Sequence, residues 1–121
     1  MNDIPKHMKA IVTNGPNDYD YKEVSVPDYE PGNILVKVAA CGICGTDTHI
    51  LGGHMRPMWP PYYPFIQGHE WCGTVAGIGK DVRTDLQLGD RVIMEPTVGC
   101  SSCAMCIAGN YHLCENAAKK D

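Results

Sequence analysis

The chain has 121 residues, 44% hydrophobic and 20% charged, with a formal charge of −4 at pH 7. That is one domain's worth of ordinary globular composition, and the acidic balance excludes the clustered Lys and Arg of a nucleic-acid surface. No apolar run approaches the roughly 18 residues a membrane span needs, so neither nucleic acid nor membrane is an expected partner.

Thirteen glycines and nine prolines favour many turns and short strands over long helices. Residues 1–10 carry no secretory leader, because Pro5, Lys6, His7 and Lys9 interrupt any apolar run. A cytoplasmic setting is expected, where thiols stay reduced and clustered cysteines more often hold metal.

Residues 8–13, MKAIVT, read as a strand, and Asn14, Gly15, Pro16 and Asn17 as the turn after it. Residues 21–26, YKEVSV, alternate polar and apolar positions up to Pro27; a turn at Pro31 and Gly32 then leads into 34–40, ILVKVAA, a strand expected to be buried on one or both faces. After Ala40 the texture changes to CGICGTDTHILGG, where residues 46–51 fit a short helix capped by Thr46 or Asp47. Residues 52–63 form a proline-rich loop with Trp59, Tyr62 and Tyr63, suited either to a substrate entrance or to covering a core edge.

Residues 71–78, WCGTVAGI, form a further strand with glycines at bends or close backbone approaches. Gly77 and Gly79 lack the third glycine of a dinucleotide fingerprint and the phosphate-loop pattern, so they are taken as a turn. Leu88, Gly89 and Asp90 make another turn into a strand over 91–94, and the polar tail at 117–121 is expected to fray.

Cys100, Cys103, Cys106 and Cys114 follow the spacing C-x2-C-x2-C-x7-C. Short gaps turn neighbouring thiolates towards one point, and the longer gap lets the chain return with a fourth, which is the tetrahedral set of a closed structural zinc site. An iron–sulfur run would place its fourth cysteine after three residues and follow it with proline, whereas here seven residues intervene and Glu115 follows. A disulfide framework would suit a short secreted chain. Zinc is the reading the spacing favours.

Cys44 and His69 make a second candidate pair. Cys44 lies in a glycine-flanked turn followed by Thr46, Asp47 and His49, and His69 lies between Gly68 and Glu70. Either residue alone is more often structural. Together a thiolate and an imidazole are two of the three protein ligands of an open catalytic zinc site, where the ion polarises an alcohol oxygen and lowers its pKa. Thr46 could take the alcohol proton and pass it towards His49, and Asp47 could orient a ligand from behind. Cys41 and Cys44 also form a CxxC pair, but thioredoxin-like chemistry expects a βαβ pattern that is missing. Cys72 is taken as a buried structural thiol, and His7, His54 and His112 as surface residues.

The segments GICGTD at 42–47, GHE at 68–70 and GDRV at 89–92, followed by the four-cysteine lobe, resemble the zinc-containing medium-chain alcohol and polyol dehydrogenases, in particular the sorbitol and threonine dehydrogenase branch. The resemblance runs from about Met8 to Asn116. It implies a mainly β, GroES-like, partly open barrel with short helices, and a structural zinc lobe at about 95–116. It also implies Cys44, His69 and a nearby Glu70 at a catalytic zinc, Thr46 and His49 in a proton relay, and an alcohol or polyol as substrate. Such enzymes use NAD or NADP, are commonly homo-oligomers, and carry a Rossmann domain for which residues 1–121 offer no glycine fingerprint. The expectation is therefore an N-terminal catalytic domain, inactive by itself. The alternative is a zinc-stabilised interaction module without catalysis.

Overall fold

The computed structural model describes residues 4–55, 60 and 62–117. Six strands dominate it: β1 (His7–Gly15), β2 (Asp18–Ser25), β3 (Ile34–Cys41), β4 (Phe65–Ile66), β5 (Trp71–Ile78) and β6 (Arg91–Ile93). Helix α1 (Gly45–Leu51), helix α2 (Ala104–Ile107) and a 3-10 turn (Tyr111–Leu113) complete it. The strands form two three-stranded sheets, ordered β2-β1-β4 and β3-β5-β6, with every pairing antiparallel. The protein is thus mainly β, and the sheets do not close into a barrel among the described residues.

The expected strands are all present, and their edges shift for local reasons. β1 continues through Gly15, with a bulge at Asn14, so the reversal falls on Pro16 and Asn17 alone. Asn17 sits at φ 59, a left-handed conformation that asparagine tolerates better than most residues. β3 is more exposed than its apolar sequence suggests: residues 37–41 face solvent, and Val38 is 52% exposed. It is an edge strand, paired only with β5.

Gly77 lies within β5 and Gly79 just beyond it. A Cβ on Gly77 would stand 2.7 Å from the Tyr29 ring, so close packing against the 29–33 loop accounts for glycine there. Neither glycine builds a phosphate loop.

The core is small. Val12, Thr13, Ile50 and Val75 are buried, and β5 turns Gly73, Val75 and Gly77 inward in strict alternation. Cys72 takes the opposite phase and is exposed, which corrects the expectation of a buried thiol. Pro60 is fully buried in the proline-rich loop while Tyr62 is 66% exposed. Trp59 and most of the tail expected to fray, residues 118–121, lie outside the described residues.

Candidate metal centres

The lobe gathers its four sulfurs by local means. Cys103 is the N-cap of α2, at φ −78 and ψ 165, and its Sγ accepts the Cys106 amide at 3.5 Å. The same pattern repeats one step earlier, where the Cys103 N–H donates to Cys100 Sγ at 3.4 Å. Each turn of chain therefore aims its amides at the preceding sulfur. Cys114 arrives after the 3-10 turn, accepting from the amides of Cys100 and Asn116 at 3.3 Å each. Ser102 Oγ and Asn116 Nδ2 each donate to Cys100 Sγ at 3.4 Å.

All four Sγ atoms lie within 4.8 Å of one another. A tetrahedron of thiolates around zinc spaces its sulfurs by about 3.8 Å, so the set fits the ion, and the surrounding N–H groups suit sulfur carrying negative charge. The hydroxyl of Ser102, the Asn116 side chain and two backbone amides hold the Cys100 thiol down at about 5. The amides of Cys106 and Glu115 also lower Cys103. Partial burial, followed by the neighbouring thiols, pushes Cys106 up to about 11. Four clustered thiols cannot all ionise without a cation among them.

The second cluster is assembled from distant parts of the chain. Cys44 is the N-cap of α1, correcting the expectation that Thr46 or Asp47 would cap it. Its sulfur substitutes for the usual oxygen, accepting the Thr46 amide at 3.3 Å, while Asp47 Oδ2 accepts the Cys44 amide at 3.0 Å. His69 reaches the site from the link between β4 and β5, where Gly68 adopts φ +112, a conformation most side chains resist.

Cys44 Sγ and His69 Nε2 are 3.2 Å apart, against about 3.5 Å for sulfur and nitrogen ligands of one tetrahedral zinc. On its other side the imidazole presents Nδ1 to Asp47 Oδ1 at 3.5 Å. Asp47 is 3% exposed, and that oxygen has no hydrogen-bond partner. Cys44, Asp47 and His69 each offer a ligand atom within 4.8 Å of the others, with Asp47 Oδ1 approaching the Nδ1 side of the ring and Cys44 Sγ the Nε2 side. The geometry suits Cys44 Sγ and His69 Nε2 facing an ion, with Asp47 fixing the ring from behind.

Thr46 and His49 lie three residues apart on α1 and are exposed, while Asp47 and Ile50 point inward. The hydroxyl and imidazole of the expected relay therefore share a solvent-facing side. The His49 ring makes an edge contact with His54, centroids 5.8 Å apart. Glu70 is exposed and stands beside Gly42, outside the Cys44–Asp47–His69 group. The roles of Ser102 and Asn116 are missed by sequence reasoning: Ser102 is a close neighbour of Cys100 in the chain, while folding of the lobe brings Asn116 to it.

Three comparisons place this geometry. Residues 30–120 match the alcohol dehydrogenase GroES-like domain. Erythritol/L-threitol dehydrogenase of Mycolicibacterium smegmatis is 37% identical over 94% of this chain and 34% of its own length. Sorbitol dehydrogenase of Bacillus subtilis is 38% identical over 92% of this chain and 31% of its own. Among solved structures, a zinc-binding dehydrogenase from Sinorhizobium meliloti bound to NADP superposes with a TM-score of 0.77 at 39% identity, covering 93% of this chain and 31% of that one. The cobalt- and zinc-bound thermostable alcohol dehydrogenase of Pyrobaculum aerophilum does so at 0.82 and 26%, covering 94% and 34%. The chain spans about a third of the length of the curated relatives it matches. With the match to the family covering most of its residues, this chain belongs to the alcohol dehydrogenase GroES-like domain family.

Proposed function

We propose that residues 1–121 form the metal-binding catalytic domain, with a structural zinc lobe at about 95–116, of a zinc-dependent alcohol or polyol dehydrogenase. NAD or NADP would be held by a separate domain of the whole protein. The observation that carries the proposal is the approach of Cys44 Sγ to His69 Nε2 at 3.2 Å with the buried Asp47 behind the imidazole. Asp47 Oδ2 caps α1, and its other oxygen faces Nδ1, the position from which a carboxylate orients a metal-binding imidazole.

Zinc bound there would lower the pKa of an alcohol oxygen. Cys44 and His69 would hold the ion, and Glu70, next in sequence to His69, is a carboxylate that would be able to approach it. Asp47, with Oδ1 facing Nδ1 at 3.5 Å, would orient the ring so that Nε2 is turned to the metal. On the exposed side of α1, the Thr46 hydroxyl takes the proton released by the alcohol and His49 passes it to solvent. The relatives named for erythritol, threitol and sorbitol favour a polyol as substrate. Seven free cysteines suit a reducing, cytoplasmic setting. No helix among the described residues is long and apolar enough to cross a membrane.

The test is cobalt substitution of the chain, followed by assay of the whole protein. Two cobalt ions per chain are expected, one with a four-thiolate spectrum and one with a mixed thiolate–imidazole spectrum lost in His69→Ala. In the whole protein, NAD(P)-linked polyol oxidation should disappear with Cys44→Ser. Activity that survives this substitution would refute the assignment.

A second arrangement has its own support. Ile107, at 76% exposure, and Leu113, at 59%, leave the lobe with an apolar surface. Self-association into a homo-oligomer through that surface would fit either a dehydrogenase subunit or an interaction module. Sedimentation of Ile107→Ser separates an associating lobe from a monomeric one.

A further inference from the structure

Cys44 and His69 stand 25 residues apart in sequence, and both of their arms are tied to the same end of β1. The first arm is α1. A helix of seven residues is too short to persist unaided, and among the described residues α1 packs extensively against no single strand. Its ends must be held from outside.

The N-terminal end is held by Cys44 and Asp47. At the other end the carbonyls are accounted for one by one. Those of Thr48, His49 and Ile50 accept the amides of Gly52, His54 and Gly53 at 2.9, 2.9 and 3.0 Å. That of Leu51 accepts the amide of Asn17, at 2.7 Å, from the β1–β2 turn. A distant turn thus fills a carbonyl left open by the helix terminus.

Packing reinforces the bond. Gly53 lies at φ +72, and a Cβ there would come within 2.8 Å of Pro16 Cγ, so the proline ring rests against the bare backbone of Gly53. The left-handed Asn17 aims its amide at the helix from the same turn.

The second arm is the link carrying His69. β4 pairs on β1 through Val12↔Ile66 and Thr13↔Phe65. Thr13, fully buried, donates its hydroxyl to Gln67 Oε1 at 3.4 Å, two residues before His69. Thr13 holds the histidine arm, and Pro16 and Asn17 hold the cysteine arm.

We propose that this end of β1, residues 13–17, is a positioning element for the metal pair: Pro16 and Asn17, acting through α1, set where Cys44 stands relative to His69. The inference rests on the reading of Cys44 and His69 as metal ligands, and its test has an arm that needs no metal.

That test is amide hydrogen exchange by NMR on the metal-free chain. The Cys44 amide, bonded to Asp47, and the Asp47 amide, bonded to the Cys44 carbonyl, report the far end of α1. Gly53→Ala should speed exchange at both by about tenfold or more, leaving the Val75 amide in β5, bonded to the Asp90 carbonyl, unchanged. Pro16→Ala, which removes the ring atoms that rest on Gly53 and frees φ at the turn, should act in the same direction and decides the matter if Gly53→Ala unfolds the chain. Asn17→Gly keeps both the amide and the left-handed backbone and should match the unaltered protein.

Faster exchange confined to residues 52–54 would make the turn a local helix stop and overturn the proposal. With cobalt added, Pro16→Ala should weaken the thiolate–imidazole band and spare the four-thiolate band; equal loss of both would also overturn it. If the unaltered chain takes up no second ion, the metal reading fails, and the exchange data still judge the brace.

Discussion

The two cysteine-bearing sites reach similar ligand spacings by opposite routes. The lobe draws its sulfurs from 15 consecutive residues and aims its own amides at them. The Cys44 site draws on a helix terminus and a strand link that lie far apart in sequence and meet where β3 pairs with β5, Cys41 opposite Trp71 and the Gly42 amide on the Glu70 carbonyl at 2.8 Å. A closed site made from adjacent turns can form wherever its short segment folds. An open site made from two arms inherits the positional errors of both. The difference teaches that any metal affinity of the lobe should be a local property, whereas that of the Cys44 pair should depend on the whole domain.

The largest effect should separate the two most sharply. Structural zinc in small thiolate lobes contributes on the order of 10 kcal/mol to local folding, so Cys103→Ser should cost one zinc per chain and disperse the amide signals of residues 100–114. The β-sheet circular dichroism and the Cys44–His69 cobalt spectrum should persist. Loss of both ions together would erase the distinction between local and assembled sites.

Next comes Asp47→Asn. It leaves a side-chain oxygen to accept the Cys44 amide but removes the charge facing His69 Nδ1. Removing a partner of this kind typically costs 10–100-fold in metal affinity. Competition with a chelator should show that loss at the Cys44 site, with no change at the lobe.

Proton counting sharpens the comparison further. In the folded arrangement of the lobe the Cys100 thiol is lowered to about 5 and that of Cys106 raised to about 11, so at pH 7 a lobe that keeps this fold meets zinc with the first ionised and the second protonated. Zinc uptake should therefore release the Cys106 proton but none from Cys100, so fewer than four protons per ion for the four ligands. The sign follows: affinity falls as pH drops because ligands must shed protons, and it falls more steeply below about 5, where Cys100 also protonates. Release of a full four, measured with a pH indicator during zinc titration, would contradict the hydrogen-bond asymmetry among the sulfurs.

Asn116→Ala should have the smallest effect. It deletes the Nδ2 bond to Cys100 and leaves the backbone bond to Cys114 intact. Zinc binding should weaken only severalfold, and the Cys100 thiol should move back towards its ordinary range. A complete loss of zinc would mean that the lobe depends on its surroundings more than its local geometry implies.

Much of this was legible in the residues. The spacing of Cys100, Cys103, Cys106 and Cys114 specified one metal-sized cluster, because two-residue gaps leave the chain few ways to keep the sulfurs apart. Alternation and turn residues located all of the longer strands, including β5 with its inward glycines. The pairing of Cys44 with His69 was signalled by their glycine-flanked loops and by the resemblance that GICGTD and GHE carry, not by their spacing. Other features were hidden because they depend on neighbours rather than on sequence. Cys72 is as apolar as a core residue, yet the phase of β5 turns it outward. β3 reads as a buried strand and is exposed because it lies at a sheet edge.

By itself, then, the sequence determined what short-range chemistry can determine: strand periods, turn positions, and a thiolate cluster whose ligands are close along the chain. Tertiary structure alone decided which nitrogen of His69 faces Cys44, that Asp47 stands behind it, and that the β1–β2 turn reaches the end of α1. The reason is one of range. Hydrogen-bond and backbone preferences act over a few residues and leave their mark in local patterns. Contacts between segments 25 residues apart are fixed only when strand pairing, here β3 with β5, has selected one register among many.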